Sequence, residues 1–229
     1  MHNGMQRMLS WISTDLIETS SFLQNNEPEM PLTLPSNLSL EEQEKFLYTA
    51  AKIDQLKNQL HFPFLKTSYQ ESAHSPWVNR DGIGFGKELL RYDYPSIDFF
   101  LAHEFSHIKL RHFQDHEQFY STLGLIEALA ILIFFPLLVP LEVIAFFFAG
   151  NFHRRMECDA DAEAVKILGN NLGAKQAFTQ LISFETNPFL ENIDLSGLDA
   201  SQKQQILTAA ADFTGYTHPS LIQRLKAVS

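Results

Sequence analysis

Apolar and polar positions follow a helical rhythm over most of this chain, with one exception. The stretch Leu123–Phe152 is apolar on nearly every face and is broken by Glu127, Pro136, Pro140 and Glu142. Before it, Met8, Trp11, Ile12, Leu16 and Phe22 recur as one face of an amphipathic helix over 5–23. Residues 25–37 are rich in Pro and Asn and read as a linker. Ser39 followed by Glu42 is a capping-box signature, and it predicts a helix over 40–60 with Phe46, Ala50, Ile53, Leu56 and Leu60 inward.

The rhythm then shortens. Residues 64–70 and 78–86 are extended in character, with turns at Ser75-Pro76 and Asp81-Gly82, and predict a small sheet of two or three strands. A helix over 96–112 follows. Beyond the apolar stretch come helices near 154–168, 174–184 and 201–213, a polar loop around 187–196, and a last helix starting at Pro219. No internal repeat or low-complexity tract is present. The fold class expected is α+β, mostly helical with a small edge sheet. An N-terminal helix and linker, 1–38, precede one domain, 39–229, with an apolar helical hairpin, 123–152, inserted in it.

Charge narrows the partners. The net charge is −10, which repels phosphate backbones and argues against nucleic acid. The single cysteine, Cys158, cannot make an internal disulfide and reads as a small semi-buried residue. Residues 1–20 lack the continuous apolar core of a signal peptide, because Asp15 and Glu18 interrupt it. A cytoplasmic location, or a peripheral one on the cytoplasmic membrane face, is expected.

The chemistry is concentrated at His103-Glu104-Phe105-Ser106-His107, which spells His-Glu-x-x-His. On a helix, His103 and His107 lie one turn apart on one face and can ligate one zinc ion. Glu104 sits beside the first ligand and can take a proton from a water whose pKa zinc has lowered. A catalytic zinc needs a third protein ligand. Glu157 supplies a candidate, and Asp161 faces the same way one turn on, where it can support a ligand. Asp159 and Glu163 read as a solvated helix face.

These runs resemble a known family. Leu101 to Ile108, then Glu157-x-x-Ala160-Asp161, then Thr217-His218-Pro219 with Arg224, are similar to the motifs of HtpX and CAAX-prenyl-protease zinc endopeptidases, in the same order. That resemblance implies a gluzincin, with a zincin-like core, zinc on His103, His107 and Glu157, and Glu104 as catalytic base. It implies that Arg224 pairs with Asp161 and that His218 stabilises an oxyanion or caps the zinc. By itself His218 reads as a residue at a helix start. The resemblance also implies an edge strand over Val78–Phe85 that pairs with an extended protein or peptide substrate, with Gly82 and Gly84 allowing close approach. His112 lies too far along the motif helix to share the zinc.

If His107 and Glu157 meet at one metal, the apolar stretch between them must double back. One membrane crossing would leave its ends about 30 Å apart, and two crossings need about 40 residues. A break at Pro136 and Pro140 leaves limbs of about 13 residues, roughly 20 Å each, too short to span. The stretch therefore reads as a hairpin that packs on the protein, dips into one leaflet or inserts into a partner protein. A catalytically silent zinc fold, serving as a binding or membrane-docking module, is the alternative reading. A zinc-free helical interaction protein is a third.

Overall fold

The computed structural model describes residues 32–73, 75–79, 82–133, 138–190 and 219–228. The chain divides into two units, Met1–Pro31 and Leu32–Ser229, and the described residues belong to the second. The expected helices over 5–23 and 201–213, and His218, lie outside the described residues.

Helix α1 spans Leu40–Gln59. Its capping box forms as the sequence predicts: Glu42 N donates to Ser39 Oγ at 3.3 Å and Ser39 N donates to Glu42 Oε2 at 2.7 Å. Phe46, Ile53 and Leu56 face inward and are almost wholly buried.

Strands β1 (Lys66–Tyr69), β2 (Trp77–Val78) and β3 (Gly82–Phe85) form a sheet in the order β1-β3-β2. The β1–β3 pairing is parallel and the β2–β3 pairing antiparallel. Asn79 ties β2 to β3 by accepting from Gly82 N at its Oδ1, 2.9 Å away. The edge strand expected over Val78–Phe85 is therefore two strands. β3 is central, buried and paired on both sides, so it offers no edge to a substrate. Gly82 and Gly84 serve internal packing instead. A Cβ at Gly84 would strike the Trp77 indole and Ser68 Oγ, and one at Gly82 would strike the Lys66 carbonyl. The edge that lies beside the motif helix belongs to β2.

A 3-10 helix, Lys87–Arg91, leads into the motif helix α2, Tyr94–Lys109. α2 starts two residues before the Ser96 expected, because Asp93 accepts from Ser96 N at 3.0 Å and Pro95 suits the first turn. It also ends earlier than expected. Arg111 sits at φ 60, in the left-handed region, and that stops the helix before His112. Ile97, Leu101 and Phe105 pack on α1 and the sheet, while Phe99 and Ala102 join a second core with Ala164, Ala174, Ala177, Phe178 and Leu221. The motif helix is thus clamped between two cores.

Helices α3 (His112–Ile133) and α4 (Leu138–Leu168) carry the apolar stretch out and back. Near their polar ends they are joined by stacked Phe119 and Phe152 rings, with centroids 4.6 Å apart, and by a hydrogen bond between Tyr120 Oη and His153 Nε2 at 3.0 Å. The limbs are not short separate helices. The helix expected near 154–168 is the second half of α4, which runs unbroken for 31 residues, about 46 Å. Pro140 lies in its first turn, where a missing N–H costs little. Among the described residues, no helix is long and apolar enough to cross a membrane. Helix α5 (Leu172–Leu190) then packs against α2. It extends through the first part of the loop expected at 187–196. Helix α6 (Leu221–Ala227) is capped by Ser220 and packs against α5.

Candidate metal centre

The i, i+4 spacing on α2 puts His103 and His107 on one face, and the close approach of α4 brings Glu157 to them. Small residues permit that approach: Ala102 on α2 and Ala160 and Ala164 on α4 are wholly buried. The two Nε2 atoms are 3.1 Å apart, and each lies 3.6 Å from a Glu157 carboxylate oxygen. The three donors fall within 4.8 Å of one another. A tetrahedral zinc with bonds near 2.0–2.1 Å spaces its ligand atoms roughly 3.3 Å apart. Two imidazole nitrogens and a carboxylate oxygen at 3.1 and 3.6 Å therefore fit zinc in both chemistry and spacing.

The residues behind the donors are as specific. Asp161, 2% exposed, places Oδ1 2.9 Å from His103 Nδ1, approaching obliquely to the ring N–H. Arg224 from α6 donates to both Asp161 oxygens, Nε to Oδ2 at 2.8 Å and Nη2 to Oδ1 at 2.7 Å. Its Nη1 lies 3.4 Å from Glu157 Oε2, so one guanidinium contacts both acids. The Phe178 ring stacks beneath it at 4.9 Å.

Electrostatics suit a site built for a cation. Burial, then the charge of His103, pull the His107 pKa down to about 3, so His107 is neutral and able to ligate. Burial also opposes protonation of His103, but Asp161 and Glu157 outweigh it and the pKa is raised. Burial would raise Asp161; Arg224 and His103 overcome it and hold the carboxyl below its usual range. Burial pushes Glu104 up to about 7. A carboxyl raised that far is partly protonated at neutral pH.

Three residues differ from expectation. His112 is on α3 rather than the motif helix, and its Nδ1 lies 3.0 Å from His107 Nδ1. Glu163 is not a solvated face residue: it is 9% exposed and takes Lys109 Nζ at 2.7 Å and Lys166 Nζ at 3.0 Å. This ties the end of α2 to α4. Cys158 is exposed rather than semi-buried, and its pKa is raised, which disfavours the thiolate. His112 has no local signal in the sequence, because only the turn at Arg111 brings it back. Asp159 is exposed, as expected.

A mostly helical fold whose His-Glu-x-x-His helix and a second-helix glutamate converge on one point has the site of a metallopeptidase. The sequence model of Peptidase family M48 matches residues 51–229, and the chain belongs to that family. The family implies a zinc metallopeptidase. Searches of curated proteins and of solved structures return no match.

Proposed function

We propose that this protein is a zinc metalloendopeptidase of the HtpX and CAAX-prenyl-protease type, a gluzincin with a zincin-like core, acting on a protein or peptide. The observation that carries the reading is the convergence of His103, His107 and Glu157 within 4.8 Å, with Glu104 next in the chain to the first ligand. His103, His107 and Glu157 would hold the zinc, and Asp161 and Arg224 position His103 and Glu157. When bound, zinc supplies Lewis acidity to the attacking water and the scissile carbonyl.

The remaining work falls to side chains. Glu104 takes the proton of the attacking water on a carboxylate oxygen and returns it to the departing amine nitrogen. Its pKa near 7 suits both transfers at neutral pH. His218, outside the described residues, would stabilise the oxyanion or cap the zinc, the two roles that the resemblance implies. The outer edge of β2, beside α2, is where an extended substrate backbone would add as a strand.

The apolar hairpin supports a peripheral, monotopic attachment to the cytoplasmic membrane face. Leu125, Ile126 and Leu129 on α3 and Ile144, Phe146, Phe147 and Phe148 on α4 are 44–65% exposed. Three consecutive exposed phenylalanines cover most of the circumference of a helix, which suits lipid better than a one-sided groove.

The experiment is to compare wild type with Glu104→Gln on a denatured-proteome peptide library. Wild type should cleave, lose cleavage with a chelator and regain it with zinc. The variant should keep one zinc per chain and cleave about 10²–10⁴-fold more slowly. Equal cleavage by both would overturn the assignment of Glu104.

A further inference from the structure

The two imidazoles are supported differently at the nitrogen that faces away from the site. His103 has a carboxylate there, Asp161 at 2.9 Å. His107 has another imidazole: His112 Nδ1 stands 3.0 Å from His107 Nδ1, with ring centroids 4.9 Å apart. His112 is 5% exposed although Gln114–Gln118, just after it, are exposed. The chain adopts an unfavourable conformation to put it there, since Arg111 is a non-glycine residue at φ 60. Arg111 N donates to Ile108 O at 3.0 Å, closing a turn that folds the start of α3 back onto the last turn of α2.

We propose that His112 is a positioning residue for the metal ligand His107. A neutral imidazole that gives Nε2 to a metal carries its proton on Nδ1. His107 Nδ1–H then donates to His112 Nδ1, and His112 keeps its own proton on Nε2. This contact fixes both the tautomer and the ring plane of His107. His112 does not touch substrate or metal. Because the accepting group is uncharged, the two ligands differ: His103 is paired with an anion and His107 with a neutral acceptor.

This inference rests on the zinc reading above, and the test separates the two. Zinc affinity is measured by chelator competition on the full chain, with the visible spectrum of the cobalt-substituted protein as a second readout. Three variants are compared. His112→Phe keeps the ring and removes the acceptor. His112→Asn places Oδ1 where Nδ1 was. His112→Ala serves in place of His112→Phe if the larger ring prevents folding. Loss of the acceptor should weaken zinc binding by about 10–100-fold and change the cobalt bands, and His112→Asn should recover most of both. Wild-type affinity and spectrum in the acceptor-less variant, or equal loss in it and in His112→Asn, would overturn the proposal while leaving the zinc reading intact. Absence of stoichiometric zinc in wild type would overturn both.

Discussion

Arg224 holds Asp161 through two parallel hydrogen bonds, at 2.8 and 2.7 Å, across 63 residues of chain. This fork also determines where Glu157 sits, because the third guanidinium nitrogen is 3.4 Å from its carboxylate. Arg224→Ala would leave a buried carboxylate, 2% exposed, without its cation. The expected loss is about 3–5 kcal/mol in urea unfolding of the metal-free protein. Arg224→Lys should recover only part, since an ammonium cannot make the fork. Full stability in Arg224→Ala would refute the structural role.

The Glu163 bridge to Lys109 and Lys166 predicts a pH dependence. These hydrogen bonds hold the Glu163 pKa below its ordinary 4.5. A depressed folded pKa adds stability above the unfolded value and loses it as pH falls through the folded one. Glu163→Gln should therefore cost about 1 kcal/mol at pH 7, and less than a buried pair would, because the lysines are 45% and 72% exposed. The difference between the two proteins should shrink below about pH 4. A difference that stays constant from pH 7 to pH 3 would contradict the bridge.

Gly84→Ala tests the sheet. The added methyl would meet Trp77 Cζ2 and Cε2 and Ser68 Oγ, and a half-buried indole held in a hairpin cannot move aside freely. A loss of about 1–3 kcal/mol in thermal or urea unfolding is expected. Gly124→Ala is the control. Nothing lies within 4 Å of its Cβ position in the middle of α3, so helix propensity should make it neutral or slightly stabilising.

The hairpin reading predicts flotation with phosphatidylcholine vesicles. Replacing Phe146, Phe147 and Phe148 by Ser together should abolish it while leaving peptide cleavage unchanged. Wild type that stays with the soluble fraction at every lipid concentration would rule out the attachment.

Much of the centre is legible locally. His-Glu-x-x-His fixes two donors on one helical face, and Glu157 with Asp161 repeats the same spacing on the next polar helix. The capping box expected at Ser39 forms, whereas the last helix starts at Leu221 behind a Ser220 cap rather than at Pro219. What escaped sequence reading was non-local. The turn residues at Asp81-Gly82 and the small sheet are legible, but the single edge strand over 78–85 that the resemblance implies is not what forms: Asn79 ties two strands together and pairing makes β3 central. The helices around 138–152 and 154–168 look separate because composition changes between them, but nothing in the backbone interrupts the hydrogen-bond ladder.

The sequence by itself therefore picked out the candidate donors and the need for the chain to return between His107 and Glu157 if they share a metal. Both follow from the 3.6-residue period and from the demand that three ligands share one ion. Only the tertiary structure decided how the donors are held. The left-handed residue at Arg111 brings His112 back to His107, and Arg224 on α6 reaches two acids on α4. Such contacts join positions whose separation in the chain has no period. They arise from the packing of α2 between two cores, and a local pattern carries no record of it.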